Sequence, residues 1–449
     1  MKVYKLVIIA GLLIASTLYA ADFHLIATTP PTPAPRSFSS MVADTVHGQM
    51  ILFGGWSIGM IGGQVFNDVW ALDTENETWR MIEPSGSAPA ARIDPAAIFN
   101  AAKNEMLIFG GRDDYYNYFN DLWSLSLTPG SEAWTQLNPS GTLPSPRLGA
   151  KAVVDSVNNR MIMFGGTTSS SGFDETWALD LNTYTWSLLD PAGTKPPARQ
   201  AHCAIYDPSG HRMIIYAGSN WGAPVMNDVW SLDLTYGSET WQQLFPSGQQ
   251  PGARTQHFGI YDQYNNDLVT GFGYDYPGYF IHYDDAWILK LSSMTWERII
   301  PQTTTPVARR ASCAAYDPNE YRVIIFGGNQ YNSLYFDDTY ELTLDMVGVS
   351  ENPKDYIQDN RYITILQNPS RLPSQITLHI PSPAYVSLKI YDNAGRIIKT
   401  LIQGPKSAGN HNINWEGLDA RGRKVVAGTF YFVLELDGEV IQEKSVILN

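Results

Sequence analysis

An all-β chain, a six-bladed β-propeller followed by a small β-sandwich, is the fold this sequence predicts. Three observations predict it. An arginine recurs at Arg36, Arg92, Arg147, Arg199, Arg254 and Arg309, at steps of 56, 55, 52, 55 and 55 residues. Eighteen residues after four of them stands a glycine pair: Gly54-Gly55, Gly110-Gly111, Gly165-Gly166 and Gly327-Gly328. The fourth unit has Ala217-Gly218 there and the fifth Phe272-Gly273. Each unit also carries four short apolar runs, the content of one propeller blade.

Within a unit, the run after the arginine (His202 to Tyr206 in the fourth) is the inner strand, and the run before the glycines is the second. The stretch Asn227-Asp-Val-Trp230 is the third strand and Glu239-Thr-Trp241 the outer one. Glycine at the end of the second strand admits a neighbour's backbone or a tryptophan face. The paired tryptophans, Trp70/Trp79, Trp123/Trp134, Trp177/Trp186, Trp230/Trp241 and Trp287/Trp296, fill the wedges between blades. The sixth unit has Tyr340 for the first tryptophan and no second. Every arginine but the first follows an outer-strand tryptophan by 13 residues, and 13 before Arg36 stands Phe23. Phe23 to Ile26 is therefore expected as the outer strand of blade six, closing the ring with the N-terminal end of the chain.

The double glycines and spaced tryptophans resemble the Kelch repeat, over Phe23 to Leu344. The resemblance implies four-stranded blades. It implies little about activity, because one fold hosts many functions.

Lys2 and Lys5 precede an apolar run from Leu6 to Leu18, too short for a membrane span. With Ala20 or Ala21 as a small cleavage residue, residues 1–20 read as a secretory signal peptide, so the expected location is secreted, cell-surface or periplasmic. No later stretch is long and apolar enough to span a bilayer. The expected propeller, 21–345, is acidic: up to residue 345 the chain carries 19 Lys and Arg against 34 Asp and Glu, and beyond it 11 against 10. That excludes nucleic acid bound through phosphate neutralisation, and an anionic membrane surface. Cys203 and Cys313 occupy equivalent inner-strand positions with one blade between them, so they are expected as two buried free thiols.

Residues 346–360 turn polar and aperiodic and read as a linker. Beyond it, 361–449 hold some seven short alternating runs, among them Ile376 to Ile380, Val386 to Tyr391, Asn412 to Trp415 and Thr429 to Leu434, which predict the sandwich. Asn368-Pro369, Tyr391-Asp-Asn-Ala-Gly395, Ala408-Gly409, Trp415-Glu-Gly417 and Ala427-Gly428-Thr-Phe430-Tyr431 resemble immunoglobulin-like domains of the flagellar-hook-cap (FlgD-like) type and type IX secretion sorting domains. Ser370-Arg371 departs from that pattern, where an aromatic usually follows Asn-Pro. The resemblance implies surface delivery or attachment, with secretion machinery or the cell surface as partner. A plain extracellular spacer is the alternative.

Several Kelch-family proteins are enzymes. A copper-radical oxidase of the galactose-oxidase type needs two histidines around one metal, and only His202 and His257 are placed to meet, each three residues after a repeat arginine. A structural role, hydrogen-bonding neighbouring backbone, is the expectation for both. A Kelch sugar epimerase would need an acid–base pair at the channel mouth, from His202, His257 or His282 with a loop carboxylate. Nothing sets such a pair apart. No nucleophile elbow, phosphate loop or zinc motif is present, and no cofactor or metal site is read. Each unit also has an acid two residues before its third-strand aromatic, Asp68, Asp121, Glu175, Asp228, Asp285 and Asp338. Six arginines and six acids predict one charge-assisted pair per blade.

What departs from the repeat is the loop after the glycines. It carries Trp56 in the first unit, Tyr115, Tyr116 and Tyr118 in the second, and Trp221 in the fourth. The fifth has Tyr274, Tyr276, Tyr279 and His282, and the sixth Tyr331 and Tyr335. All leave the same end of their blades. Aromatic rings beside Asn and Asp stack on sugars and bond their hydroxyls. The reading is an exported binding protein with a glycan or a surface protein as ligand. The alternative is a sugar-modifying enzyme.

Overall fold

The computed structural model describes residues 19–59, 62–220, 224–276, 280–301, 303, 305–331, 334–346, 363–365, 370–371, 374–380, 384–392, 396–407, 409–425, 428–436 and 439–448. The chain divides into two units, Met1–Gly348 and Val349–Asn449, each taken by itself below. Residues 1–18 of the expected signal peptide (1–20), and the expected linker beyond Met346, lie outside the described residues.

The four apolar runs of each repeat form a four-stranded antiparallel blade, running outward in sequence order. Blade one is Ser40–Asp44, Gln49–Phe53, Val69–Asp73 and Thr78–Ile82. Blade four is Cys203–Asp207, Arg212–Gly218, Met226–Asp233 and Thr240–Leu244. In blade six, Cys313–Asp317, Arg322–Phe326 and Thr339–Met346 are completed by Tyr19–Ile26, with Phe23 opposite Leu342. This closing strand is longer than the spacing predicts. Ala20 and Ala21, the expected cleavage residues, lie inside it and pair in parallel with Ile300 and Pro301 of blade five. Asp22 anchors that extension by accepting the Thr303 N–H at 2.9 Å.

Six apolar clusters, one per wedge, form the core, and each joins two neighbouring blades. Each outer-strand tryptophan meets the ring that precedes the glycines of the blade before it. Trp134 lies 5.2 Å from Phe53, Trp186 5.1 Å from Phe109, and Trp241 5.1 Å from Phe164. These edge-on pairs add to the burial of each indole. The wedge between blades five and six is built differently. Phe23 replaces the tryptophan, and Gly271 stands where the other blades carry Phe or Tyr. Phe272 fills the space, stacked 5.8 Å from Phe23. That packing explains why the fifth repeat breaks its double glycine.

The first glycine of each pair sits at a close approach between blades. A Cβ on Gly110, at φ +70, would stand 2.6 Å from the Arg147 carbonyl of the next blade. In blades four and five Ala217 and Phe272 keep the left-handed backbone, at φ 58 and 61. A second glycine series was not read from the sequence. Gly86, Gly141, Gly193 and Gly248 each follow an outer-strand tryptophan by seven residues, where the interblade segment runs parallel to the next outer strand. A Cβ on Gly86 would stand 2.6 Å from the Trp134 carbonyl. These segments cover the exposed blade edges.

In the C-terminal unit, Ile363–Ile365, Ser374–Ile380 and Gly409–Trp415 form one sheet. Ser370–Arg371, Glu439–Leu448, Gly428–Leu436, Ala384–Asp392 and Ile397–Lys406 form the other. Alternate residues Ile376, Leu378 and Ile380 pack on Val386, Leu388 and Ile390 around the fully buried Trp415. The indole N–H donates to the Leu418 carbonyl at 3.0 Å. This is the sandwich that the alternating runs predict.

Two predictions follow from the wedges. Deleting residues 19–26 should lower the melting temperature of the whole propeller, and unchanged melting would refute the closure. The Trp79 and Trp241 N–H groups donate to Thr339 and Thr176, whereas those of Trp134 and Trp296 are buried without a partner. Val69 and Val229 occupy the threonine position of the repeat facing those two. Thr176→Val should therefore cost about 1–3 kcal/mol in urea unfolding. Val229→Thr should be neutral or stabilising by about 1 kcal/mol. Equal losses in both variants would show that these N–H groups do not need the hydroxyl.

Candidate ligand-binding face

The repeat arginines set the geometry of this face. Arg92 donates from Nε to the Ala90 carbonyl at 3.0 Å and from Nη1 to the Gly110 carbonyl at 2.9 Å. It grips both carboxylate oxygens of Asp121 at 2.6 and 2.9 Å. The Trp123 N–H donates to the same carboxylate at 2.7 Å, and the Phe119 ring lies 4.5 Å from the guanidinium. All six arginines are 1% exposed or less, and all six pair with the acid their spacing picks out. Burial pushes the Asp121 carboxyl up, but its bonds to Arg92, the Arg92 charge and Trp123 outweigh that and hold it below 3.8. These arginines are structural, not an anion site.

Two residues after each arginine the backbone turns left-handed. Phe38, Asp94, Gly149, Ala201, Gln256 and Ala311 have φ between 48 and 69. Each donates its N–H to the carbonyl of the corresponding residue one blade earlier, at 2.7–3.0 Å, and Phe38 completes the circle by donating to Ala311. A collar of six peptide hydrogen bonds thus surrounds the axis where the inner strands begin. The residue before each collar position bridges the start of a variable loop: Ser37 with Trp56, Ile93 with Arg112, Leu148 with Thr167, Gln200 with Ser219, Thr255 with Tyr274, and Arg310 with Asn329. The loops therefore ring the collar on one face.

Of the aromatics expected there, the structure assembles one group across blades five and six. Tyr276 stacks on Tyr274 at 6.1 Å, Tyr274 on His282 at 5.5 Å, and His282 meets Tyr331 at 4.8 Å. The Tyr331 N–H donates to His282 Nε2 at 3.3 Å. Tyr276 and Tyr331, at the two ends of this stair of rings, are exposed. Tyr274 is not solvent-facing as expected. It is buried beneath the Arg310 guanidinium, 4.3 Å from the ring centre. Trp56 and Tyr335 form a separate edge-on pair at 5.5 Å. Tyr115 and Tyr116 are exposed on blade two, with Arg112 4.2 Å from the Tyr116 ring, and Tyr118 is half-buried. Trp221 and Tyr279 lie outside the described residues.

Arg310, Phe280 and Asn329 belong to the same region and were not picked out from the sequence. The signal for Arg310 was there: it doubles the repeat arginine, where the other units have Ser37, Ile93, Leu148, Gln200 and Thr255.

The expectation that His202 and His257 bond neighbouring backbone is corrected for His202. Both rings are buried edge-on, against Phe164 at 5.7 Å and Tyr216 at 5.3 Å; both nitrogens of His202 are without a hydrogen-bond partner, whereas the His257 ring interacts with the Tyr216 backbone. Burial first, then the charges of Arg199 and Arg254 respectively, holds each well below the ordinary 6.5, so both are neutral. Burial likewise pushes the free Cys203 and Cys313 thiols up to about 12. At the collar lies a small cavity of about 40 Å³, with Ser39, Asp94, Lys151, Gln256, His257 and Ser312 as its polar lining. Among the described residues, no group of three His, Cys, Asp or Glu is arranged to hold a metal ion.

The KLHDC2/KLHL20/DRC7 Kelch-repeats domain matches residues 14–166, 61–257 and 155–348, and the FlgD Ig-like domain matches 369–439. The host cell factor homolog hcf-1 of Caenorhabditis elegans is 30% identical over 227 residues, covering 46% of this chain and 27% of that protein. Host cell factor 1 of Homo sapiens is 29% identical over 199 residues, covering 40% of this chain and 9% of that protein. The chain thus spans about a quarter or less of these relatives. The structure of YjhT superposes with a TM-score of 0.53 at 16% identity, covering 72% of this chain and 97% of that one, a likeness of fold.

The neutral histidines give a pH prediction. Their folded pKa values are depressed, so below about pH 6.5 the unfolded chain takes up protons that the folded chain does not. Stability should fall from pH 7 to pH 5. Replacing both rings with residues other repeats use there, His202→Ala (as Ala150) and His257→Ser (as Ser312), should flatten that fall in urea midpoints. An unchanged slope would place the titrating groups elsewhere.

Proposed function

The chain belongs to the Kelch-repeat family, and from that premise we propose that its propeller is a binding module that takes a saccharide on the aromatic loop face. The observation that carries the reading is the stair Tyr276–Tyr274–His282–Tyr331, with exposed rings at its ends and Arg310 and Asn329 beside it. Flat rings flanked by hydrogen-bonding groups suit a sugar, which offers apolar ring faces and a fringe of hydroxyls. A protein ligand is the second reading, favoured by Phe280, Ile281 and Leu334, all exposed on the same two blades. A sugar-modifying enzyme is supported less. His202 and His257 are enclosed and neutral, and Asp94 is held by Lys151 at 2.9 Å. The proposal includes export by the N-terminal segment. The FlgD Ig-like match supports a C-terminal domain for surface delivery, attachment or spacing.

A glycan array, run with metal and chelator controls and beside a display of surface proteins, tests the reading. Tyr276→Ala and Tyr331→Ala should each weaken saccharide binding by about 1–3 kcal/mol without moving the melting temperature. Trp134→Ala, in a wedge, should instead destabilise the fold by about 3–5 kcal/mol. Binding to proteins alone would favour the second reading, and unfolding of the loop variants would return those rings to a structural role.

A further inference from the structure

We infer that the mouth of the central channel is a subsite of this face, built to receive a hydroxyl-bearing end of a neutral saccharide whose ring lies on the aromatic stair. The inference rests on the saccharide reading above. Its starting point is two departures from the repeat that meet. Among the six collar residues only Asp94 is ionisable. Two residues further on, the inner strands begin with Ser40, Ala96, Lys151, Cys203, Phe258 and Cys313, and only Lys151 carries a basic group. Lys151 Nζ reaches Asp94 Oδ1 at 2.9 Å, with 8% of the aspartate side chain exposed.

Blades two and three do not need this pair as a staple. They already share an apolar cluster and the bond from the Gly111 N–H to the Arg147 carbonyl. With the aspartate this buried, the pair spends part of its attraction on lost hydration.

Across the mouth, Gln256 Oε1 is buried without a hydrogen-bond partner, and the buried His257 ring lies beside it. A group that suits this mouth must donate to Gln256 and accept from Lys151. A hydroxyl does both, whereas a carboxylate only accepts and an ammonium only donates. The lysine and aspartate cancel, so the mouth selects no net charge. At about 40 Å³ the cavity has room for a hydroxyl group. The stair adjoins it for the ring: Tyr274 is bridged to Thr255, the residue before Gln256.

The repeat supplies substitutions that the fold already tolerates. Asp94→Gly with Lys151→Ala copies Gly149 and Ala96 and leaves no charge unpaired, and Gln256→Ala copies Ala201 and Ala311. The full chain and these variants would be titrated calorimetrically with neutral mono- and disaccharides and with their deoxy analogues. Both variants should keep the melting temperature and bind the preferred saccharide about 10–100-fold more weakly, the loss of a hydrogen bond to a charged or buried partner. The analogue lacking the inserted hydroxyl should bind the original protein as weakly as it binds the variants. If Tyr276→Ala weakens binding but neither collar variant does, the mouth holds solvent only and this inference falls alone. If the original protein binds no saccharide on the panel, the inference falls together with the reading it rests on.

Discussion

One buried arginine per blade carries the architecture, because its side chain and its peptide group act on different neighbours. The guanidinium ties together its own blade, from the acid before the third strand to the carbonyl at the end of the second. The peptide group ties that blade to the one before. The Arg92 N–H donates to the Phe66 carbonyl at 3.0 Å, and its carbonyl accepts from Gly55 at 3.0 Å. Arg36 does the same with Phe336 and Gly328 of the last blade, at 3.0 and 2.8 Å. A guanidinium removed from water this completely needs a carboxylate and carbonyls already in place. Each blade presents them at the same spacing, and the ring closes as a result.

From that stitch the collar follows. With both peptide groups of the arginine committed, the chain must turn toward the axis within two residues, and all six units do so through a left-handed residue. Such a conformation is costly for residues other than glycine, yet only Gly149 among the six is glycine. The compensation lies in the hydrogen bond each collar N–H makes to the preceding blade. Six strained residues are held by six bonds that none could make by itself.

The sequence revealed the blades, the arginine–acid pairs and the closing strand because each rests on a residue type at a fixed spacing. The collar was illegible for the opposite reason. It is made of peptide groups, so Phe38, Asp94, Gly149, Ala201, Gln256 and Ala311 share no chemistry that a repeat search would find. The glycines at 86, 141, 193 and 248 are spaced as regularly as the double glycines, but each stands alone and outside the apolar runs. At the loop face, the departures from the repeat fall on the loops that start beside the collar. They could not separate the exposed Tyr276 and Tyr331 from the buried Tyr274, because that difference comes from where Arg310 lies. His202 departs from the hydrogen bond its position in the repeat suggests, because its ring packs edge-on to Phe164 with both nitrogens unbonded.

The same division explains why the face is where this chain's individuality resides. Where the fold uses side chains, at the arginines, the acids and the wedge tryptophans, the six units resemble one another closely, and the exceptions such as Phe272 compensate for a change nearby. Where the fold uses backbone, at the collar and the loop starts, the side chains are released from structural duty and differ from unit to unit. An aspartate held by a lysine, or an arginine laid over a tyrosine, adds little to a ring already closed by hydrogen bonds between peptide groups. Their desolvation still has to be met. Residues that cost folding energy at positions the scaffold leaves free lie on the side of the propeller to which the proposed binding is assigned.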